Sequence, residues 1–155
     1  MTDKKVDSDT FIKECVREYL TLHNVCNDDF QIVRHAYQKP RLAPEKAKFS
    51  LSHSGDYTLV SVSQKEVGAD IQKHVDCNRD IIAKRFFNPK EQNCDKNTFF
   101  DLWTAKEAYI KANQTDFAKG LKTLIQKEDI TLINLIANYS IAIKSHDKDI
   151  LIVLK

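Results

Sequence analysis

The stretch Trp103-Thr104-Ala105-Lys106-Glu107-Ala108-Tyr109-Ile110-Lys111-Ala112 decides how this chain is read. In a helix, positions i and i+4 share a face, so Trp103, Glu107 and Lys111 form one stripe. The stripe carries an aromatic ring, a carboxylate and an ammonium in register. Taken alone, it is a core Trp followed by a helix-stabilising Glu–Lys pair worth about 0.2–0.5 kcal/mol. The helix is expected over residues 98–112, with Phe99, Phe100, Leu102, Trp103 and Ile110 as its apolar side.

Working outward, residues 9–22 predict an amphipathic helix, with Phe11, Ile12, Cys15, Val16, Tyr19 and Leu20 at helical spacing. Phe30 to His35 alternates as a strand, and Tyr37-Gln38-Lys39-Pro40-Arg41 breaks it. Residues 49–62 predict a hairpin turning at Ser54-Gly55-Asp56. Val67 to Gln72 is a short strand. Asn88-Pro89-Lys90-Glu91 has the cap, proline and acid of a helix start, so a short helix is expected there. Residues 130–154 read as strands with a hairpin turn at His146-Asp147-Lys148-Asp149. Mixed helices and strands of this kind imply an α+β fold. Ser52-His53 and Ser145-His146 each precede a turn and an apolar run, the kind of echo two pseudo-equivalent halves would leave.

A chain of 155 residues fits one domain with a real core. With 42% hydrophobic and 30% charged residues, disorder is not indicated. A net charge of +2 is too mild for a nucleic-acid surface but leaves room for a local basic pocket holding a phosphorylated ligand. No apolar run approaches the roughly 20 residues that span a bilayer. The charged N-terminus is not a secretory signal. Cys15, Cys26, Cys77 and Cys94 are unevenly spaced, as expected of reduced thiols in the cytoplasm. His74 and Cys77 form a lone H-x-x-C with no second ligand pair, so zinc is not assigned.

The chain has three glycines, Gly55, Gly68 and Gly120, each beside a polar cluster. Asp70 and Gln72 project from one face of the strand at 67–72, because side chains alternate. With Glu107 from the helix they would offer hard oxygen ligands to Mg²⁺, a cation that keeps positions for water and substrate phosphates. Lysines nearby in the pattern (Lys39, Lys106, Lys111) suit phosphoryl chemistry, in which cations neutralise developing charge and a carboxylate accepts a proton. Edge-strand solubility explains Asp70 equally well.

Six segments taken in order resemble the 4′-phosphopantetheinyl transferases, closest to the type that serves secondary metabolism. They are Tyr37-Gln38-Lys39-Pro40, Phe49-Ser50-Leu51-Ser52-His53-Ser54-Gly55, Gly68-Ala69-Asp70-Ile71, Phe86-Phe87-Asn88-Pro89-Lys90-Glu91, Leu102 to Lys111, and Lys119-Gly120-Leu121. The resemblance implies an α+β fold of antiparallel strands packed on helices. It also implies two unequal pseudo-symmetric halves, about 1–65 and 66–155, within one domain. The implied activity moves the phosphopantetheine arm of coenzyme A onto a serine of an apo acyl- or peptidyl-carrier protein, releasing adenosine 3′,5′-bisphosphate. By position, Asp70 and Glu107 would hold Mg²⁺, with Gln72 as a further oxygen ligand, and Glu107 would be the base. Lys111 would bind the diphosphate. Lys39, Ser52 and His53 would lie at the 3′-phosphate and adenine end, and Lys106 would be a further phosphate contact. Trp103, Phe86 and Phe87 read as core.

The chain departs from the family at Gln72, where many relatives carry an acid. It is short for the two-halved members, lacking the first strand and a basic helical segment. Arg34, Arg41 or Lys4-Lys5 are the candidate replacements for the missing cations. Self-association, as in the small trimeric members, is another route to a complete site. A non-catalytic relative that binds coenzyme A or a carrier protein is the alternative function.

Overall fold

The computed structural model describes residues 7–25, 29–36 and 38–155; Lys4-Lys5, Cys26 and Tyr37, used above, lie outside them. The described elements in order are α1 (Ser8–Leu22), β1 (Gln31–Val33), β2 (Arg41–Ala43), β3 (Lys48–Ser54), β4 (Tyr57–Ser63) and β5 (Val67–Lys73). Then come α2 (Arg79–Phe86), a 3₁₀ turn (Pro89–Glu91), α3 (Lys96–Asn113), α4 (Phe117–Lys122), a second 3₁₀ turn (Lys127–Asp129), β6 (Thr131–Ile133), β7 (Tyr139–Ser145) and β8 (Ile150–Leu154). The fold is α+β, with antiparallel sheets and helices packed on them.

Local chemistry starts each helix. Asp7 caps α1 by accepting from Thr10 N, and Asp95 caps α3 by accepting from Thr98 N at 2.8 Å. Each cap satisfies a backbone donor the first turn leaves unpaired. The apolar stripe of α1 is buried as its spacing predicts. It packs on Phe49, Val60 and Val62 of the sheet ordered β3-β4-β8. The second sheet, ordered β5-β7-β6, takes α3 on one face through Ala105, Ala108 and Ala142. Between the sheets lies a further apolar cluster, with Leu59 from β4 against Val67, Ala69, Ile71, Ile141 and Ile143. The layers therefore run helix, sheet, sheet, helix.

Gly68 fixes how closely α3 sits on β5. A Cβ there would lie 1.9 Å from Ala108 O and 2.5 Å from Ala112 N, both backbone atoms of α3. Gly55 serves a turn instead, with φ of +57° between β3 and β4.

Two expectations need correction. The turn near His146 exists, but it does not close a hairpin: β7 pairs with β5 and β6, whereas β8 pairs with β4. Ile150-Leu151-Ile152-Val153-Leu154 is apolar on both faces. Ile150 and Leu154 pack into the cluster between the sheets, while Leu151 and Val153 pack beneath α1. A strand of that composition suits the two-sided burial that the β4 edge offers. The second concerns Asn88, whose side chain accepts from Lys90 N at 3.1 Å but starts only a three-residue 3₁₀ turn. Glu91 does not reach back to close a capping box; its carboxylate is drawn to Lys106. Among the described residues no helix is long and apolar enough to cross a membrane.

Candidate active site

The site forms where the edge of β5 meets β3 and α3. Asp70, 4% exposed, accepts at Oδ1 from Lys111 Nζ and from Ser52 Oγ, each at 2.6 Å. Lys111 Nζ also donates to Ala69 O at 3.2 Å and to Leu51 O at 3.4 Å. Glu107, one helical turn before Lys111, is half-buried. Burial pushes its carboxyl above the ordinary value of 4.5 and the charge of Asp70 pushes the same way. Lys111 and a hydrogen bond from the Trp103 indole pull it down without reversing the shift. The opening stripe therefore stays together on one face: Trp103 and Lys111 both lie close enough to act on the Glu107 carboxyl, and Lys111 pairs with Asp70.

Lys111 also lines an open cleft of about 650 Å³, with Gln38, Lys39, Pro40, Ser50 and Gln114 among the other walls. Thr115 lines it too, and its buried Oγ1 has no hydrogen-bond partner. Lys39 Nζ donates to Val67 O at 2.6 Å and pairs with Glu66 at 3.4 Å. Burial lowers the Lys39 pKa, and Glu66 opposes that shift. A second hollow of about 160 Å³ adjoins Lys39 and is lined by Arg41, Lys48, Glu45 and Glu66.

The remaining expected residues are scattered. Lys106 is fully buried on another side of α3, where Nζ donates to Glu91 Oε2 at 2.7 Å and Thr123 O at 2.6 Å and lies 5.3 Å from the Phe87 ring centroid. Where a phosphate contact was expected, both oxygen partners are protein, and the side chain has no exposed surface. His53 is exposed, on the face of β3 opposite Ser52. It sits toward the far end of the β3–β5 pair from Lys39, about 17 Å along the strands at ~3.3 Å per residue. Gln72 shares the Asp70 face of β5, but its amide nitrogen donates to Lys73 O at 3.0 Å. Arg34 pairs with Asp9, away from the cleft residues.

Trp103 packs among Phe87, Phe99 and Phe117, as its core reading expects. Sequence reading missed some residues. Ser50, Ser52 and Ser54 act together on β5, and their period of two was the available signal. Gln114 and Thr115 carried no signal, since they reach the cleft only because α3 ends in a left-handed residue at Gln114, φ 50°.

The model of the 4′-phosphopantetheinyl transferase superfamily matches residues 66–150, just over half of the chain. The chain belongs to this superfamily. The match covers β5 through the turn before β8, and so includes Asp70, Glu107 and Lys111. Curated members of the family are similar over a wider span. The 4′-phosphopantetheinyl transferase gsp of Aneurinibacillus migulanus is 33% identical over 108 residues, 63% of this chain and 44% of the relative. The 4′-phosphopantetheinyl transferase Sfp of Bacillus subtilis (strain 168) is 33% identical over 113 residues, 67% of this chain and 48% of the relative. HetI of a Nostoc species, also a 4′-phosphopantetheinyl transferase, is 34% identical over 89 residues, 51% of this chain and 38% of the relative. The aligned part of this chain spans less than half the length of each of these relatives.

The family implies a divalent cation. Among the described residues no group of three or more His, Cys, Asp or Glu side chains is placed to hold a metal. Two carboxylates do converge, and Glu107 titrates high partly because Asp70 is close. Two neighbouring carboxylates, one of them paired with a lysine that lines the cleft, fit a Mg²⁺ that takes its other ligands from water and substrate phosphates.

Proposed function

We propose that this protein transfers the 4′-phosphopantetheine arm of coenzyme A to a serine hydroxyl of an apo acyl- or peptidyl-carrier protein in a Mg²⁺-dependent reaction. The observation that carries the reading is the convergence of Asp70 and Glu107 on Lys111, which lines the cleft. The carrier serine oxygen forms a bond to the phosphorus that bears the pantetheine arm. The bond from that phosphorus to the bridging oxygen breaks, and adenosine 3′,5′-bisphosphate leaves with the electron pair.

Glu107 takes the serine proton. Its elevated pKa brings it nearer to the working pH, where a carboxylate is a more effective base. Lys111 supplies positive charge to the diphosphate, and Lys39 supplies a second cation along the same cleft. Asp70 and Glu107 would hold the Mg²⁺, with the Gln72 carbonyl oxygen as a further ligand; bound there, the cation neutralises phosphate charge. His53 and Ser52 belong, on the family pattern, to the nucleotide end.

Under this reading the halves at about 1–65 and 66–155 are pseudo-equivalent units of one domain, each with a long helix on its sheet. The substrates place the protein in the cytoplasm, and self-association is the route by which a second copy would add cations to the cleft. The rival is a module that binds coenzyme A or a carrier without chemistry. Gln72, one negative charge short of the acid many relatives carry, favours it.

Incubation with coenzyme A, Mg²⁺ and a panel of apo carriers, read by intact carrier mass, separates the two. Gain of one phosphopantetheine supports transfer; retained coenzyme A binding with no mass gain on any carrier supports the module. Asp70→Ala and Glu107→Ala should each slow transfer by about 100-fold or more. Near-normal rates in either would remove that residue from the machinery.

A further inference from the structure

Strands β3 and β5 lie side by side yet belong to separate sheets, so no backbone ladder joins them. The gap is bridged by hydroxyls. Ser50 Oγ accepts from Ala69 N at 3.0 Å, Ser52 Oγ from Ile71 N at 3.3 Å, and Ser54 Oγ from Lys73 N at 2.9 Å. The constant offset of 19 residues means the two strands run parallel. The three serines therefore satisfy the free edge of β5, which would otherwise carry unpaired donors.

Only the middle serine does more. A hydroxyl has one proton to donate, and that of Ser52 goes to Asp70 Oδ1 at 2.6 Å. Bonds from a hydroxyl to a carboxylate are short and charge-assisted. Ser50 directs its proton toward Ala69 O at 3.4 Å, and Ser54 makes no contact with Asp70 among the described bonds. With Lys111 also on Oδ1, two donors anchor that oxygen of the Asp70 carboxylate, and Oδ2 has no bond among the described residues.

We propose that Ser52 is a positioning residue for Asp70, holding that carboxylate ready for the divalent cation. This rests on the metal role proposed for Asp70. It differs from the role the family pattern gives Ser52, because the hydroxyl proton is committed to Asp70 and not to the nucleotide.

The three serines supply their own control. Ser50→Ala, Ser52→Ala and Ser54→Ala each delete one ladder bond, and each should lower the melting temperature. Only Ser52→Ala should weaken Mn²⁺ binding, measured by titration of the coenzyme A complex with electron paramagnetic resonance detection of free Mn²⁺. The expected loss is about tenfold or more, the usual consequence of removing a group that orients a ligand. The other two should stay within about twofold of wild type. Transfer by Ser52→Ala should be restored by raising Mg²⁺ and not by raising coenzyme A. If Ser52→Ala melts below the assay temperature, Ser52→Cys, a weaker donor of similar size, replaces it with the same expected direction.

Wild-type Mn²⁺ affinity in Ser52→Ala, or an equal loss in all three variants, would overturn the positioning role alone. So would a raised coenzyme A KM with unchanged Mn²⁺ affinity. A wild-type complex that takes up no Mn²⁺ would instead overturn the metal reading of Asp70 and this role with it.

Discussion

Lys106→Met tests whether Lys106 is a structural cation or a phosphate ligand. The Lys106 side chain is 0% exposed and its Glu91 partner 8%, so both charges are removed from water. The ammonium also donates to Thr123 O, while the other Glu91 oxygen accepts from Ile125 N at 3.3 Å. Together they pin the segment after α4 to the turn before α3. Methionine keeps the length and still packs on Phe87, so little volume is lost. What remains is a buried carboxylate without its counter-ion, a change that costs roughly 3–5 kcal/mol. At 2–4 °C per kcal/mol for a chain of this size, the melting temperature should fall by about 6–20 °C. Adding Glu91→Leu removes the orphaned charge and leaves the Ile125 N–H unpaired, a deficit of about 1–3 kcal/mol. The double variant should therefore melt above the single one. Thermal melts and coenzyme A kinetics on both decide the matter. A single variant within about 2 °C of wild type, with a KM for coenzyme A raised tenfold, would refute this reasoning and restore Lys106 as a phosphate contact.

Two further outcomes are expected. Gly68→Ala puts a Cβ 1.9 Å from Ala108 O, and backbone cannot yield as a side chain would. Overpacking of about 1–3 kcal/mol should lower the melting temperature by about 2–12 °C. It should also slow transfer, because Glu107 and Lys111 ride on the helix that is pushed from Asp70. An unchanged melt would show that α3 is not seated on Gly68. Glu107 titrates above its ordinary 4.5 in the folded protein, so the folded state binds more protons than the unfolded just above that pH. The stability it contributes is present at low pH and is lost as pH rises through the raised folded value. In metal-free buffer the melting temperature of Glu107→Gln relative to wild type should therefore climb as pH rises from 4.5 through the raised folded value. A difference that is flat or falls over that interval contradicts the cause assigned to the shift.

Fold class was legible because periodicity carries it. The stripe of α1 and the alternation of β3 and β4 need only local chemistry, and both appear where the pattern puts them. Partner choice was not legible. Nothing local distinguishes a β8 that folds back on β7 from one that crosses to β4, because both place the same residues in an extended strand. The difference lies in which edge offers burial on both faces, a tertiary property. Helix α4 escaped notice for a related reason: Gly120 inside it argues against a helix, yet its missing side chain is what admits Ile110, whose Cγ1 would lie 2.2 Å from an added Cβ. At the site, alternation along β5 and helical spacing along α3 suggested that Asp70, Glu107 and Lys111 could meet, and one strand and one helix do bring them together. Lys106, adjacent to Glu107, is rotated by 100° to a different side of α3, where it meets Glu91 instead.

Counting donors shows what the assembled site can still offer a phosphate. An ammonium has three hydrogens. Lys111 points all three at protein, to Asp70 Oδ1, Ala69 O and Leu51 O. Lys39 points two, to Val67 O and Glu66. Among the described residues Lys39, which lines the cleft, uses two of its three hydrogens, while Lys111 must exchange one bond. The weakest is to Leu51 O at 3.4 Å, beyond the usual range for such bonds. A phosphate would take that position and leave the Asp70 pair intact. The same cations that close the edge of β5 in the free protein therefore suit the cleft for an anion, because each holds one donor that the described residues bind loosely or not at all.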